Sequence, residues 1–248
     1  MLSVILIVKN EAKNIQRCLE SVKWADEIIV VDSGSTDNTV ELAQAYTQQV
    51  YRIDWEGYGI QKQNALQKAT GNWVLNIDAD EEVTDDLKQQ IQEAITSQEY
   101  QAYQIPIRLV FYKKVLRYAL SSTKRVRLFQ RTGAYYSPNI VHESIQLPAK
   151  SRVGRLKSPL LHYSYPDLTA ALAKMNLYSS GTARMRIQKK QTKPTFIEAC
   201  ISAGWMFVRN YLFQRWFLDG KEGLLLALIS TESAFYRGMK QIYPDVNS

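Results

Sequence analysis

Apolar, β-branched residues gather in short runs at 3–8, 27–31, 49–53 and 73–77, and helical periodicity separates each run from the next. That alternation suits a mostly parallel sheet with helices on both faces: each parallel crossover takes a helix, and each central strand is covered on both sides. Ala12, Ile15, Leu19 and Val22 recur at spacings of three and four and predict one core-facing helical stripe, with Asn10 as its cap. A second helix is predicted after Asp37, a third over 60–69 ending near Gly71, and a fourth from Thr84. Asp85 and Asp86 fall in the first turn of the fourth, where carboxylates suit the helix dipole.

The rhythm changes after residue 101. Segments 102–109, 125–130, 134–137 and 160–163 alternate over short spans with no helix between them and predict mixed sheet with functional loops. Beyond Pro166, a helix capped by Asp167 carries Leu168, Ala171, Leu172 and Met175 on one face. Two apolar helices follow over 195–215 and 222–243, separated by Leu218, Asp219 and Gly220. The expected organisation is therefore two halves of one α/β domain, 1–100 and 101–165, and a helical extension over 166–248.

A chain of 248 residues with 46% hydrophobic and 22% charged residues can bury a substantial core, which excludes disordered, collagen-like and disulfide-stapled classes. Two cysteines far apart, Cys18 and Cys200, give no bridge framework and point to a reducing compartment. The apolar opening is too short for a signal peptide, and no late stretch reaches the roughly 20 apolar residues of a membrane span, so a cytoplasmic enzyme is expected.

The net charge of +7 conceals a division. Residues 1–100 hold 8 basic and 17 acidic side chains, a net of −9, and residues 101–248 hold 23 basic and 7 acidic, a net of +16. An acidic half can hold a divalent cation, and a basic half suits a polyanion or an anionic membrane surface. No helix-turn-helix, zinc-finger or RNP-like signature accompanies the positive charge, so no nucleic-acid partner is expected. Arg184, Arg186, Lys189, Lys190 and Lys193 lead into an aromatic-rich stretch with Trp205, Phe207, Tyr211, Phe213, Trp216 and Phe217. That order predicts a helix lying in a membrane interface, against the alternatives of a buried cap or a dimer seam.

Candidate chemistry sits at the ends of predicted strands. Asp32 opens a loop of carboxylates, hydroxyls and Gly34 directly after the run 27–31, where open α/β sheets bind ligands; the same composition also suits an ordinary turn rich in helix caps. Asp78 and Asp80 follow the run 73–77 as a DxD motif and, two apart in extended backbone, are expected to converge on one ligand. Paired hard oxygens suit Mg²⁺ or Mn²⁺ bridging a diphosphate. In Lys124-Arg125-Val126-Arg127 the alternation predicts Arg125 and Arg127 on one strand face, suited to gripping acceptor phosphates. His142 and His162 are the only histidines; either could complete a metal shell with Asp80, or His142 could orient a neighbouring base.

The opening Ser3-Val4-Ile5 to Lys9-Asn10-Glu11, the loop Val31 to Asp37, the Lys62-Gln63-Asn64-Ala65-Leu66 segment and Asp78-Ala79-Asp80 together resemble the inverting nucleotide-sugar glycosyltransferases of family 2, whose fold is GT-A, a Rossmann-like mixed sheet flanked by helices. More narrowly, Val141-His142-Glu143 and Phe217 to Gly223 resemble bacterial lipopolysaccharide inner-core β-1,4-glucosyltransferases. The resemblance implies that 1–100 binds a UDP-sugar and 101–165 the acceptor, with the helical extension associating with a membrane. Asp32 would contact the uridine, Lys62 and Asn64 would lie near the nucleotide, Asp78 would meet the ribose or the metal, and Asp80 and His162 would hold Mg²⁺ or Mn²⁺. Inversion needs a base for the acceptor hydroxyl. Glu143 is the candidate, because it and Asp167 are the only acids over 101–193 and Asp167 is expected to cap a helix; Glu81 and Glu82 are rivals. His142, Arg125 and Arg127 would face the acceptor. The expected reaction is transfer of glucose from UDP-glucose to an inner-core heptose on an anionic, lipid-linked oligosaccharide, by an enzyme peripheral to the cytoplasmic face of the inner membrane. A polyprenyl phosphate acceptor and a non-catalytic glycan-binding scaffold are the alternatives.

Overall fold

In the computed structural model, which describes residues 1–97, 99–121, 125–137, 144–189 and 192–244, strands and helices alternate as the apolar runs require. In order come β1 (Leu2–Val8), α1 (Ile15–Val22), β2 (Glu27–Asp32), α2 (Thr39–Gln44), β3 (Val50–Arg52), α3 (Tyr58–Lys68), β4 (Trp73–Asn76), β5 (Glu81–Val83) and α4 (Asp85–Ser97). Then follow β6 (Ala102–Gln104), β7 (Ile107–Phe111), β8 (Lys114–Val115), β9 (Val126–Gln130), β10 (Tyr135–Tyr136), β11 (Ile145–Gln146), β12 (Val153–Arg155) and β13 (Leu160–Tyr165). Three helices end the described chain, α5 (Leu168–Gln188), α6 (Phe196–Val208) and α7 (Lys221–Ile242). Two compact units result, Met1–Ile107 with Ser122–His162, and Arg108–Ser121 with Tyr163–Ser248. Residues 108–121, expected in the α/β half, thus belong with the helical extension.

In the first unit a seven-stranded mixed sheet runs β12-β6-β9-β4-β1-β2-β3. Central β1 is parallel to β2 on one side and to β4 on the other, with Val8 opposite Asp32 and Ile5 opposite Asn76. This is the switch point of an open α/β sheet, and the carboxyl ends of β1, β2 and β4 share one edge there. Side chains alternate along β1. Val4, Leu6 and Val8 pack with Ile15, Cys18 and Leu19 of α1 and Leu87 and Ile91 of α4. Ile5 packs on the other face with Ala65 and Leu66 of α3. Each such side chain, fully withdrawn from water, contributes about 1.5–3 kcal/mol. Helix α3 also buries Gln61 and Lys62, polar groups that packing alone does not call for.

Three local expectations give way to longer-range geometry. Asn10 does not cap α1, which starts at Ile15 after Asn14; instead Asn10 takes a left-handed φ of 56° and bonds the loop after β2. The apolar segment 102–109 is two strands, interrupted at Pro106, which has no amide hydrogen for a ladder. The acidic stretch after Asp80 contains β5, paired antiparallel with the start of β13 so that Glu81 lies opposite His162.

The second unit has its own core of Leu109, Phe111, Leu116, Ala119, Ala171, Trp216, Leu226 and Ala227. The β7–β8 hairpin closes with Val110 opposite Val115. Buried Asp219 accepts hydrogen bonds from the backbone amides of Arg117 (2.8 Å), Tyr118 (2.9 Å) and Ala119 (2.7 Å), tying the segment after β8 to the turn before α7. Helix α5 is capped by Asp167, as the sequence predicts, and α6 by a reciprocal Thr195–Glu198 pair. Beyond Val208 the chain makes a π-helical turn, Arg209–Phe213, and a 3₁₀ turn, Trp216–Asp219. Ile197, Ile201 and Trp205, spaced four apart on α6, are exposed. Among the described residues no helix is long and apolar enough to cross a membrane.

Candidate active site

Buried β2 delivers Asp32 to the carboxyl edge of the sheet. Its carboxylate accepts from the amides of Gly34 (3.0 Å) and Ser35 (3.1 Å), while Gly34 takes a φ of 85° that only glycine adopts without strain. The loop is also held from outside. Asn10 donates its amide to Ser35 Oγ (2.9 Å) and its Oδ1 accepts from the Thr36 amide (2.8 Å), and the amide of Glu11 donates to Thr39 Oγ1 (2.8 Å). From α3, fully buried Gln61 donates to Ser33 Oγ (3.2 Å) and to the carbonyls of Ile53 and Asp54. Asn64 donates to Gln61 Oε1 at 3.3 Å. Gln61 thus holds the floor of the loop, a role that nothing in the spacing of its neighbours announces.

Past β4 the acidic residues separate. Asp78 meets Arg127 Nη2 at 2.8 Å and Lys62 Nζ at 3.7 Å. The same Nη2 meets Glu81 at 2.7 Å, and the other Glu81 oxygen accepts from the Asp78 amide at 2.9 Å. Asp80 turns away to His162 Nε2, 3.0 Å distant, brought there by the β5–β13 pairing. Asp78 and Asp80 therefore face different partners instead of converging. Arg127 corrects the sequence expectation: it is 3% exposed and aimed at Asp78 and Glu81, whereas Arg125 lies exposed ahead of β9. One cation in an otherwise apolar strand, with Val126, Leu128 and Phe129, was the available signal, since such a charge must find a buried partner. Glu82 lies 3.9 Å from Arg17 Nε. His142 and Glu143 lie outside the described residues.

The cluster shifts its own titrations. Burial would raise the Asp78 carboxyl, but the charges of Arg127 and Lys62 outweigh it and hold the group well below the usual carboxylate range. Burial and the charge on Asp78 push Glu81 up to about 7 against the pull of Arg127. For His162 burial opposes protonation, and the hydrogen bond and charge of Asp80 overcome it, so the imidazole sits above its ordinary value. Cys18, beneath the site with Sγ 3.5 Å from the Asp78 carbonyl, is kept as a thiol by burial and by the surrounding carboxylates.

Among the described residues no three His, Cys, Asp or Glu side chains form a metal cluster. Asp80 and His162 nevertheless pair a hard oxygen with an imidazole nitrogen, both partly open to solvent. Two such donors fit a divalent ion of the Mn²⁺ type that takes its other ligands from substrate and water.

A strand switch point with a lysine, an arginine and three carboxylates at its mouth, on a mixed sheet flanked by helices, defines a GT-A glycosyltransferase. Residues 3–148 match the profile of Glycosyl transferase family 2, and the chain belongs to that family. It is 33% identical to an uncharacterized glycosyltransferase of Rickettsia bellii over 95% of this chain and 84% of the relative. It is 30% identical to the lipopolysaccharide core biosynthesis glycosyltransferase LpsC of Rhizobium meliloti, over 96% of this chain and 91% of LpsC. In three dimensions it is similar to S. aureus TarS 1-349, with a TM-score of 0.52 at 14% identity, covering 96% of this chain and 91% of that one. A second crystal structure of that protein, in complex with UDP-GlcNAc, gives a TM-score of 0.51 at 16% identity, covering 94% and 81%.

Proposed function

We propose that the enzyme transfers glucose from UDP-glucose, with inversion, to a heptose of the lipopolysaccharide inner core, working peripherally at the cytoplasmic face of the inner membrane. The observation that carries the donor half is the Lys62–Asp78–Arg127–Glu81 cluster at the ends of β1, β2 and β4. It offers fixed positive charge to a diphosphate and a carboxylate, held ionised, to a ribose. The UDP-GlcNAc complex of TarS supports a UDP-sugar donor on this fold, and the printed role of LpsC supports a lipopolysaccharide-core acceptor.

Asp32 and Asn64 bind the nucleoside in this reading, and Lys62 the diphosphate. Arg127 orients Asp78 toward the ribose. Asp80 and His162 would hold Mg²⁺ or Mn²⁺, an ion that would supply charge neutralisation to a leaving diphosphate. Glu143 takes the proton from the acceptor hydroxyl as that oxygen bonds the anomeric carbon, on the face opposite the leaving UDP. The commitments of its rivals support this choice: Glu81 is 1% exposed and tied to Arg127 and the Asp78 amide, and Glu82 faces Arg17. Exposed Arg125, with His142, meets the anionic acceptor. The exposed apolar stripe of α6 and the basic residues ahead of it support the membrane surface as a partner.

The test is calorimetric titration with UDP, with and without Mn²⁺. Binding should tighten with the metal; Asp80→Ala should lose that increment and about a thousandfold in transfer with unchanged thermal unfolding. Metal-independent binding removes the ion from Asp80, and no UDP binding in either condition removes the donor reading. Glu143→Gln should keep UDP binding and lose about 10²–10⁴-fold in turnover. Unchanged turnover would pass the base role to Glu81 or Glu82.

A further inference from the structure

Within the helical unit, α5, α6, α7, the π-helical turn and the segment 118–121 line an open cleft of about 430 Å³. That is the size of a small-molecule site, and far more than a lone phosphate fills. Lys174, Arg209 and Arg237 line it together, and among the described residues no carboxylate does. Of the described acids of this unit, Asp167 and Glu198 cap helices, Asp219 holds the amides of 117–119, Glu222 pairs with Lys114 at 2.8 Å, and Glu232 is exposed on α7 outside the lining. Arg209 reaches only neutral groups, Asn210 Oδ1 at 3.3 Å and Met206 Sδ at 3.1 Å. Lys174 lies 5.2 Å from the centre of the Tyr165 ring. Burial, and then the guanidiniums of Arg186 and Arg209, pull Arg237 below its usual value, the mark of cations that repel one another.

Trp216, 3% exposed, is among the lining residues, and its Nε1, itself shielded from solvent, has no hydrogen-bond partner. The gathered cations, with no carboxylate among the lining residues, suit an oxyanion that arrives from outside. Met175, Met206, Leu226 and Ile229 add thioether and aliphatic surface to a wall they share with Tyr118, Asn210, Ser230 and Ser233. Two methionines also suit a flexible hydrocarbon, since their side chains adapt in shape.

We propose that this cleft binds a phosphate-bearing amphiphile, the phosphate oxygens bonded by Arg237 and Arg209 and its hydrocarbon laid against Met175, Leu226 and Ile229. Arginine is suited to this because its planar fork matches phosphate bidentately. The inference needs neither the donor nor the acceptor assignment, since the ligand is read without any sugar present.

The full-length protein is titrated with dihexanoyl phosphatidic acid, dihexanoylglycerol and inorganic phosphate, following the Trp216 indole N–H resonance, which Trp216→Phe identifies by its loss. Phosphatidic acid should move that resonance saturably and with one-to-one stoichiometry, and each of the other two should bind about tenfold or more weakly. Arg237→Gln should weaken phosphatidic acid about tenfold or more and keep UDP binding. Absence of saturable binding, or equal affinity in Arg237→Gln, overturns the proposal. Inorganic phosphate binding as tightly as phosphatidic acid overturns the amphiphile and leaves a simple anion site.

Discussion

Arg127 is buried and Arg237 half-buried, and they sit in opposite electrostatic company. Arg127 lies between two carboxylates; burial opposes its charge, and Asp78 and Glu81 more than compensate, so its proton is held more firmly than usual. Arg237 lies among other cations and holds its proton less firmly than usual. The first arrangement fixes geometry, because each group stays where its partners are. The second stores unmet interactions, which a folded chain tolerates where a ligand redeems them.

The largest blow to this contrast comes from Arg127→Met, which leaves buried Glu81 and partly exposed Asp78 without the cation between them. It should cost about 3–5 kcal/mol in denaturant unfolding, and a cost under about 1 kcal/mol would mean that the cluster is loosely held. Asp219→Ala tests whether the second unit also depends on compensated charge somewhere. Stripping the acceptor from the three amides of 117–119 should cost about 2–3 kcal/mol, and a neutral result would show that water replaces the carboxylate. A smaller effect belongs to Glu27, a buried carboxylate that accepts from Ser3 Oγ, Gln49 Nε2 and both the amide and hydroxyl of Thr70. Burial would raise its titration, and these donors lower it below its usual 4.5. Its contribution is therefore full above the unfolded value and is lost as pH falls through the lower folded value. Glu27→Gln should cost about 1–2 kcal/mol at pH 7, with the gap to the parent protein closing under acid. A gap that widens in acid would reverse the sign assigned to Glu27.

Legibility from sequence follows the range of the interaction. The strands β1, β2 and β4 announce themselves as unbroken apolar runs, because both of their faces are covered, and with them come the positions of Asp32, Asp78 and Asp80 at strand ends. Strand β5 does not, since Glu81 and Glu82 look like an acidic loop and its partner lies some eighty residues on. His162 beside Asp80 was readable only as a chemical possibility; the pairing that brings them together is a tertiary fact. Arg127 fails for a related reason: alternation tells which residues share a face, but not whether that face looks at water or at two carboxylates.

The clasp between the β1–α1 loop and the loop after β2 has a kinetic consequence. Ser33 donates its amide to the Val8 carbonyl (2.9 Å), Thr36 to Asn10, and Asp32 ties Gly34 and Ser35, so the amides of 33–36 are all engaged before any nucleotide arrives. Ordering each such residue costs about 1–2 kcal/mol in backbone entropy, and here folding has already met that cost. In the proposed function this is the wall a nucleotide would meet, already ordered over 33–36, and these amides should exchange slowly in the free enzyme.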